Sequence, residues 1–486
     1  MGKNIFENDS LEQELAEKAG KLEAQRQERK QRMIATTLGC IAEKVRTHEA
    51  DILRLLADNK GSKQQAVQEV IINEVKEAAE GRLWCREYVE RLRSEQHMTV
   101  YTGSHWEPVE QQLWKDFVGQ CARRCGISEA MLMNPSFMRQ LYEALAFNLA
   151  KYRQQLIPKD EVWLNVKNGR LVVRADGSKT LCEHNKNDLF TYTLPYSYDE
   201  HAECEQWLTF LHRVLPEPGA QRVLQEFIGY CMTPRHTLEK MLLLYGEGQN
   251  GKSVTLELTE ALLGAVNVSY LSLSDLTNDE VKRAGIEGKM LNISHESGKD
   301  INANVLKQLT SGEKVLIKYL YRDPYETRNY GKFMAAFNQL PRAENTFGFF
   351  RRLIILPFSV TITEEEKDDQ LTDKLKGELP GILNWVLAAL PELMQRRKFT
   401  KSTCCEKALE QYRLQSDNVR LFLSEMCELS ELATPASELH TAYRNYCYGS
   451  SLKPLGKNKF IARLESIGFT PVIYSKQKSF NLKINE

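Results

Sequence analysis

The strongest chemical signal in the sequence is the glycine-rich octapeptide GEGQNGKS at residues 246–253, directly after the apolar run MLLLY. It fits the pattern G-x-x-x-x-G-K-[ST], in which backbone N–H groups wrap around phosphates, the lysine neutralises the β and γ oxygens, and the hydroxyl ligates Mg²⁺. We therefore expect ATP and Mg²⁺ as cofactors. The expected nucleotide-binding residues are Gly246, Glu247, Gly248, Gln249, Asn250, Gly251, Lys252, Ser253 and Val254.

Hydrolysis needs a second group that orients the attacking water. The run KMLNISHE, residues 289–296, ends in Glu296, which we expect to polarise or deprotonate that water and to contact the metal through it. Its neighbour His295 stands where many such ATPases carry an acid, and we interpret it as an ordinary residue at a strand end. The run KFMAAF ends in Asn338, whose amide could bond the γ-phosphate and the water, or which could simply begin a turn.

Two adjacent arginines, Arg351 and Arg352, precede the apolar run LIILPF. An arginine at this position could reach the nucleotide of a neighbouring subunit and stabilise the charge that develops in phosphoryl transfer. The alternative is a surface ion pair.

The surrounding pattern predicts the elements that must position these residues. From about residue 238 to 360, apolar runs alternate with helical patterns, as expected for a parallel sheet covered by helices. The first 98 residues are rich in Glu, Lys, Gln and Ala, which favours helices, and they show no strand pattern. Alternating residues broken by Asn168 and Gly169 predict a small antiparallel sheet between 162 and 194.

Composition restricts the possible partners and location. Lys plus Arg and Asp plus Glu are equal at 65 each, so any contact with nucleic acid must depend on local clustering of charge. The 11 cysteines are odd in number and irregularly spaced, which favours reduced thiols in a cytoplasm. No apolar run reaches the roughly 18 residues of a membrane span, so we expect a soluble protein.

The motifs together resemble superfamily 3 helicases. The P-loop, KMLNISHES, LKQLTSGEKVLIKYLYRDPYE, FMAAFNQLP and GFFRRLIILPF occur in the order and spacing of the helicase module of phage and plasmid primase-helicases, and the poxvirus primase-helicase is similar. The resemblance covers roughly residues 99–480. It implies an AAA+ ATPase that forms a hexameric ring around single-stranded DNA and couples ATP hydrolysis to unwinding. It also assigns the sensor role to Asn338 and the trans-acting arginine to Arg352, with Arg351 as the close alternative.

The resemblance further implies two DNA contacts. Between the strands expected at VLIKYLY and YGKFMAAF, a hairpin would project into the ring pore, and Lys318, Tyr321 and Arg322 are its expected DNA-binding residues. Alternatively, the tyrosines belong to the core and the lysine is solvated. The C-terminal segment resembles a winged helix, on which Lys457 and Lys459 would bind DNA, unless the wing binds protein instead.

The predicted fold is therefore an α/β AAA+ P-loop ATPase core, a parallel sheet with flanking helices, together with three further parts. The expected domains are an α-helical N-terminal region (1–98, a collar or partner-binding element), a small α+β pre-helicase domain (99–204), the ATPase domain (205–400) and a C-terminal winged helix (401–486).

The predicted function is that of a replicative DNA helicase from a phage, prophage, satellite or plasmid, acting in the bacterial cytoplasm on single-stranded and forked DNA. We expect no primase domain in the chain, and a separate primase or origin-binding protein as a partner. The alternative is a defence or regulatory AAA+ switch that binds DNA without unwinding it.

Overall fold

The computed structural model describes residues 5–57, 63–86, 97–150, 155–295, 301–341, 347–450, 452, 454–474 and 477–485. The chain forms two units. The first comprises Met1–Val173 and Lys179–Tyr198, and the second comprises Arg174–Ser178 and Asp199–Glu486. None of the described helices has the apolar length needed to span a lipid bilayer.

Six helices of the first unit share one apolar core. Ile71, Val118 and Leu141, from three different helices, are fully buried in it. The burial of such helical faces is the main stabilising contribution to a helical unit of this kind. The helices are α1 (Ile5–Glu43), α2 (Glu49–Ala57), α3 (Lys63–Ala79), α4 (Gln111–Arg124), α5 (Glu129–Leu132) and α6 (Pro135–Leu149).

The same unit contains two small sheets, and one of them corrects the predicted N-terminal boundary. Strands β1 (Leu83–Arg86), β2 (His97–Tyr101) and β3 (Trp106–Pro108) pair in that order. Strand β2 crosses the expected boundary between residues 98 and 99, and helices from both sides of it share the apolar core. The first 98 residues are therefore neither purely helical nor a separate unit. The second sheet contains β4 (Glu161–Val166), β5 (Gly169–Arg174) and β6 (Lys179–Cys182).

The second unit is built on a five-stranded parallel sheet with the order β13-β7-β12-β9-β8. Its strands are short apolar runs that are buried on both faces, as expected when helices cover a parallel sheet. The strands are β7 (Met241–Tyr245), β8 (Val268–Ser269), β9 (Leu291–Ser294), β12 (Lys332–Phe337) and β13 (Leu353–Pro357). The helices around and between them are α7 (Glu205–Val214), α8 (Pro218–Cys231), α9 (Lys252–Leu263), α10 (Leu273–Asn278), α11 (Glu280–Arg283), α12 (Ala303–Thr310), α13 (Phe347–Phe350), α14 (Leu371–Lys376) and α15 (Leu379–Arg396).

A two-stranded hairpin interrupts the chain before β12. Its strands, β10 (Val315–Ile317) and β11 (Tyr325–Thr327), pair antiparallel. The sequence predicted a hairpin here, but it assigned the second strand to YGKFMAAF. That assignment is wrong, because Lys332–Phe337 is strand β12, paired between β7 and β9 in the parallel sheet.

The C-terminal elements divide at a different point from the one expected. Helix α16 (Thr403–Gln415) places Ala408 and Tyr412 in the core of the parallel sheet, so residue 401 does not begin a separate core. A second core begins at Val419 and includes Tyr443 and Phe460. It is formed by α17 (Asn418–Met426), β14 (Cys427–Pro435), α18 (Ala436–Gly449), α19 (Lys457–Ile467), β15 (Val472–Tyr474) and β16 (Gln477–Ile484), whose strands pair in the order β14-β16-β15.

A buried carboxylate fastens α8 to the end of α15. The Glu226 side chain is 0% exposed, and it pairs with Arg222 at 3.3 Å and with Arg396 at 2.5 Å. It also accepts hydrogen bonds from the backbone N–H and the hydroxyl of Thr400, both at 2.7 Å. A buried charge is tolerated only when it is paired and hydrogen-bonded in this way.

We expect Glu226→Ala to lower the free energy of unfolding of the second unit by about 3 kcal/mol, near the lower end for breaking a buried ion pair, since both arginines keep partial access to water. Glu392→Ala is the matched control, because Glu392 pairs with the same two arginines but is 56% exposed, where ion pairs contribute little. Urea unfolding followed by circular dichroism measures both variants. Equal losses of stability would contradict the importance of the buried carboxylate.

Candidate functional site

The glycine-rich loop joins the end of β7 to the start of α9, and two of its glycines are required by close packing. Gly251 has φ +87°, and a Cβ there would lie 2.8 Å from Val214 and 2.9 Å from Phe210. A Cβ on Gly246 would lie 2.2 Å from the carbonyl oxygen of Phe358. Larger residues would push the loop away from α7 at Gly251 and away from the end of β13 at Gly246.

The lysine of the loop is buried beside the end of the neighbouring strand. Lys252 Nζ donates to Gly246 O at 2.5 Å, to Asn250 Oδ1 at 3.1 Å and to Asn338 Oδ1 at 3.2 Å. Asn338 reaches it because β12 pairs in parallel with β7, which aligns Phe337 with Tyr245. The structure thus brings together two residues that lie 86 positions apart in the sequence.

Asn250 fixes the shape of the loop from within. Its amide nitrogen donates to Glu247 O at 3.0 Å and to Phe358 O at 3.1 Å, which ties the loop to the residue that follows β13. The backbone continues this connection, since Phe358 N donates to Tyr245 O at 2.7 Å and Gly246 N donates to Phe337 O at 3.1 Å. The loop is therefore held by the ends of three strands, β7, β12 and β13.

A cavity of about 410 Å³ opens over the loop, within the range of small-molecule sites. Ser253, Val254 and Asn338 line it together with Gly248, Gln249, Asn250, Gly251 and Lys252. Sequence reasoning missed three further lining residues, Ile362, Glu364 and Lys367, which follow β13. Ile362 N donates to Gln249 O at 2.8 Å, and Gln249 donates to Glu364 at 3.0 Å. The acidic run TITEEEK directly after a core strand was the available signal.

The predicted acid at the end of β9 cannot be placed. Glu296 lies outside the described residues, which stop at His295 in this segment. His295 is exposed, and its ring is parallel to that of Tyr270, with centroids 6.4 Å apart. Burial and the nearby Glu260 carboxylate raise the pKa of Tyr270, so this phenol stays protonated near neutral pH.

The two arginines before β13 occupy different environments. The Arg351 side chain is 49% exposed and pairs with Glu239 at 3.0 Å. The Arg352 side chain is only 12% exposed, and it donates to Ser311 Oγ from Nε at 3.0 Å and from Nη2 at 2.8 Å. Arg352 also donates to Gly348 O at 2.6 Å, and burial lowers its pKa. Sequence reasoning missed Ser311, which no motif singled out.

The hairpin presents one of its predicted residues fully to solvent. Tyr321 lies at the tip with φ +63° and a fully exposed side chain. Lys318 and Arg322 are half-buried, and the Arg322 guanidinium lies 5.8 Å from the ring of Tyr319. Tyr319 itself donates to Glu287 at 3.1 Å, which holds this tyrosine against the body of the unit.

Glu287 anchors the hairpin to the body of the unit. Besides Tyr319, it accepts hydrogen bonds from Tyr325 at 2.5 Å and from Thr327 at 3.0 Å. Buried Arg283 adds a second anchor, because it donates to Leu316 O at 2.7 Å. These contacts connect both strands to the body of the unit, and the tip stays exposed.

The two predicted C-terminal contacts lie together. Lys457 and Lys459 are both exposed in the first turn of α19, next to the buried Phe460. Both lysines lie on the surface of the C-terminal core that begins at Val419, and neither lines the cavity over the glycine-rich loop.

Two family models match this chain in successive segments. One, described as D5 N terminal like, matches residues 81–216, and the other, a family of unknown function (DUF5906), matches residues 244–352. The second segment contains the glycine-rich loop, the hairpin and both arginines.

Viral relatives match at low identity. A protein of Acanthamoeba polyphaga mimivirus named as a helicase, L207/L206, is 24% identical over 221 residues, and one of Frog virus 3 (isolate Goorha), 022R, is 25% identical over 273 residues. These matches cover 42% and 50% of this chain but only 23% and 28% of the relatives' own length.

Solved structures of the NrS-1 C-terminal region also align with the chain. The apo structure of its residues 305–718 matches with a TM-score of 0.48 and 10% identity, covering 88% of this chain and all of that one. A second apo form matches with a TM-score of 0.44 and 11% identity, covering 79% and 94%. The chain is thus similar in successive segments to a D5 N terminal like family and to a family of unknown function, and at low identity to viral proteins named as helicases.

Proposed function

We propose that this protein is an ATP-dependent DNA helicase of the superfamily 3, AAA+ type, which assembles as a hexameric ring on single-stranded DNA. The observation that carries the proposal is the contact between Lys252 and Asn338 above the parallel sheet. Because β12 lies between β7 and β9, a polar side chain from the neighbouring strand reaches the P-loop lysine. That is the arrangement needed to sense the γ-phosphate of a bound nucleotide.

In the proposed reaction the chain's own residues divide the work. Lys252 and the N–H groups of the loop would bind the phosphates, and Ser253 would hold Mg²⁺. Glu296 would orient the attacking water, and Asn338 would hydrogen-bond that water and the γ-phosphate. An arginine from the adjacent subunit, Arg352 or Arg351, stabilises the charge that develops. When bound, the magnesium ion would neutralise part of the negative charge of the phosphates.

DNA contacts follow from the exposed groups. Tyr321 offers an aromatic face for stacking, and Lys318 and Arg322 offer cations for phosphates, which together suit translocation without sequence preference. The order of elements in the C-terminal core supports a winged helix, with α19 and its Lys457 and Lys459 as the duplex-binding face. The proposed setting is replication of a phage, prophage, satellite or plasmid genome, with a separately encoded primase as partner.

The first test concerns ATP hydrolysis. We expect Lys252→Ala to lower kcat by at least about a hundredfold, because the phosphates lose their main cationic partner. Lys374→Ala is the matched control, because Lys374 lies in α14, pairs with Asp368 and does not line the cavity. Phosphate release assays measure both variants. Hydrolysis that survives Lys252→Ala would contradict the site assignment.

The second test concerns unwinding. Wild-type protein should displace a strand from forked DNA in the presence of ATP. Tyr321→Ala should abolish displacement, because one aromatic stacking contact with DNA is lost. The rate of ATP hydrolysis by this variant without DNA should stay within about twofold of the wild-type rate. Tyr321→Phe should retain displacement, and Tyr448→Ala, at an exposed tyrosine of the C-terminal core, should not alter it. Robust hydrolysis with no displacement on either tail polarity would instead favour the regulatory switch.

The third test asks whether an arginine acts on the neighbouring subunit. Lys252→Ala and Arg352→Ala should each be inactive alone, yet a mixture should recover activity at about one quarter of the interfaces in a randomly mixed ring. The same mixture with Arg351→Ala in place of Arg352→Ala identifies which arginine is used. Absence of recovery in both mixtures, with intact rings by electron microscopy, would argue against catalysis in trans.

A further inference from the structure

A short turn links the arginine pair to the hairpin. Residues 311–313, which we call the Ser311 turn, follow α12 and lead directly into β10. Ser311 is the C-cap residue of α12, and its hydroxyl accepts two hydrogen bonds from Arg352, at 3.0 and 2.8 Å. The guanidinium therefore contacts the segment that carries the first strand of the hairpin.

The rest of the Ser311 turn is tightly packed. Gly312 has φ +68°, and a Cβ there would lie 2.6 Å from the side chain of His236. Tyr330 donates its hydroxyl to Glu313 O at 2.5 Å, and the ring of His236 lies 5.0 Å from that of Tyr330. This close packing leaves little free space around the turn, so a displacement of Ser311 would be expected to reach β10 at Val315.

The bonds from Arg352 to Ser311 use an edge of the guanidinium that can also bind phosphate. Its Nε and Nη2 groups form the pair of parallel donors with which arginine binds phosphate in bidentate fashion, and both donate to Ser311 Oγ. When that edge of the guanidinium turns to a phosphate, the two bonds to Ser311 must break. Glu239 pairs with both arginines, at 3.0 Å from Arg351 and at 3.6 Å from Arg352, whereas only Arg352 donates to Ser311.

We infer that the Ser311 hydroxyl is a latch that couples Arg352 to the DNA hairpin, and that engagement of Arg352 with a neighbour's nucleotide releases the Ser311 turn and repositions β10 and β11. This inference rests on the proposed function, since it takes Arg352 as the trans-acting arginine and the hairpin as a DNA contact. Ser311 is a positioning residue that touches neither nucleotide nor DNA.

Coupling of two binding sites is reciprocal, so it can be measured as the ratio of DNA affinities in two nucleotide states. For the assembled wild-type protein we expect a single-stranded oligonucleotide to bind at least about fivefold differently with a non-hydrolysable ATP analogue than with ADP. In Ser311→Ala this ratio should fall to within about twofold of unity, because the latch is absent in both states. Fluorescence anisotropy with labelled oligonucleotide measures the ratio.

Two further variants separate the latch from general damage. Ser311→Thr retains a hydroxyl and should restore the wild-type ratio. Ser416→Ala is the matched control, because Ser416 is also a half-buried serine that ends a helix. The ratio of DNA affinities in this variant should equal the wild-type ratio. A wild-type ratio in Ser311→Ala, or a threonine variant as defective as the alanine variant, would overturn the inference.

Failure of the proposed function has a different signature. If wild-type protein binds no single-stranded DNA, the helicase proposal fails, and hydrogen exchange of the hairpin peptide, residues 315–327, then tests the latch without DNA. A change in exchange on adding the ATP analogue in wild type, absent in Ser311→Ala, supports the latch. The same response in both proteins, or none in either, overturns it.

Discussion

The candidate site depends on one buried positive charge. The ammonium group of Lys252 lies among oxygens of Gly246, Asn250 and Asn338, which come from the glycine-rich loop and from the end of a second strand. Carbonyl and amide oxygens orient an ammonium group without cancelling its charge, so the group keeps its attraction for phosphate. The contact exists only because β12 pairs directly with β7, and the order of the parallel sheet is therefore a requirement of the chemistry.

Much of the core could be predicted from the sequence because its signals are local. The apolar run before the glycine-rich loop, the helix after it and the polar residue that ends KFMAAF each lie within a few residues of the feature they predict. The parallel sheet with flanking helices agrees with that prediction. The roles of Asn338 and Arg352 remain predictions, because a residue's place at a strand end does not establish what it binds.

The remaining features depend on contacts between distant residues. Strand β1 is four residues long and its partner β2 is five, so neither has a periodic pattern long enough to recognise. The prediction for the second strand of the hairpin is wrong for a related reason. YGKFMAAF has a stronger apolar pattern than Tyr325–Thr327, but it forms a strand of the parallel sheet. Ser311 and Glu364 lie in recognisable segments, LKQLTSGEK and TITEEEK, but only the folded chain shows what their side chains contact.

The shared core of the first unit has a consequence for biosynthesis. Helices α1, α2 and α3 pack on one another, but α1 also packs on α4 and α3 on α6, so the helices made first complete their apolar packing only when later helices have been made. Synthesis of the stretch from residue 98 to Leu149 takes roughly 3 to 10 s at ribosomal speeds of about 5 to 20 residues per second. For that interval the nascent helices expose Ile71, Val75 and their neighbours, which makes the N-terminal region a natural client of chaperones that bind at the ribosome exit.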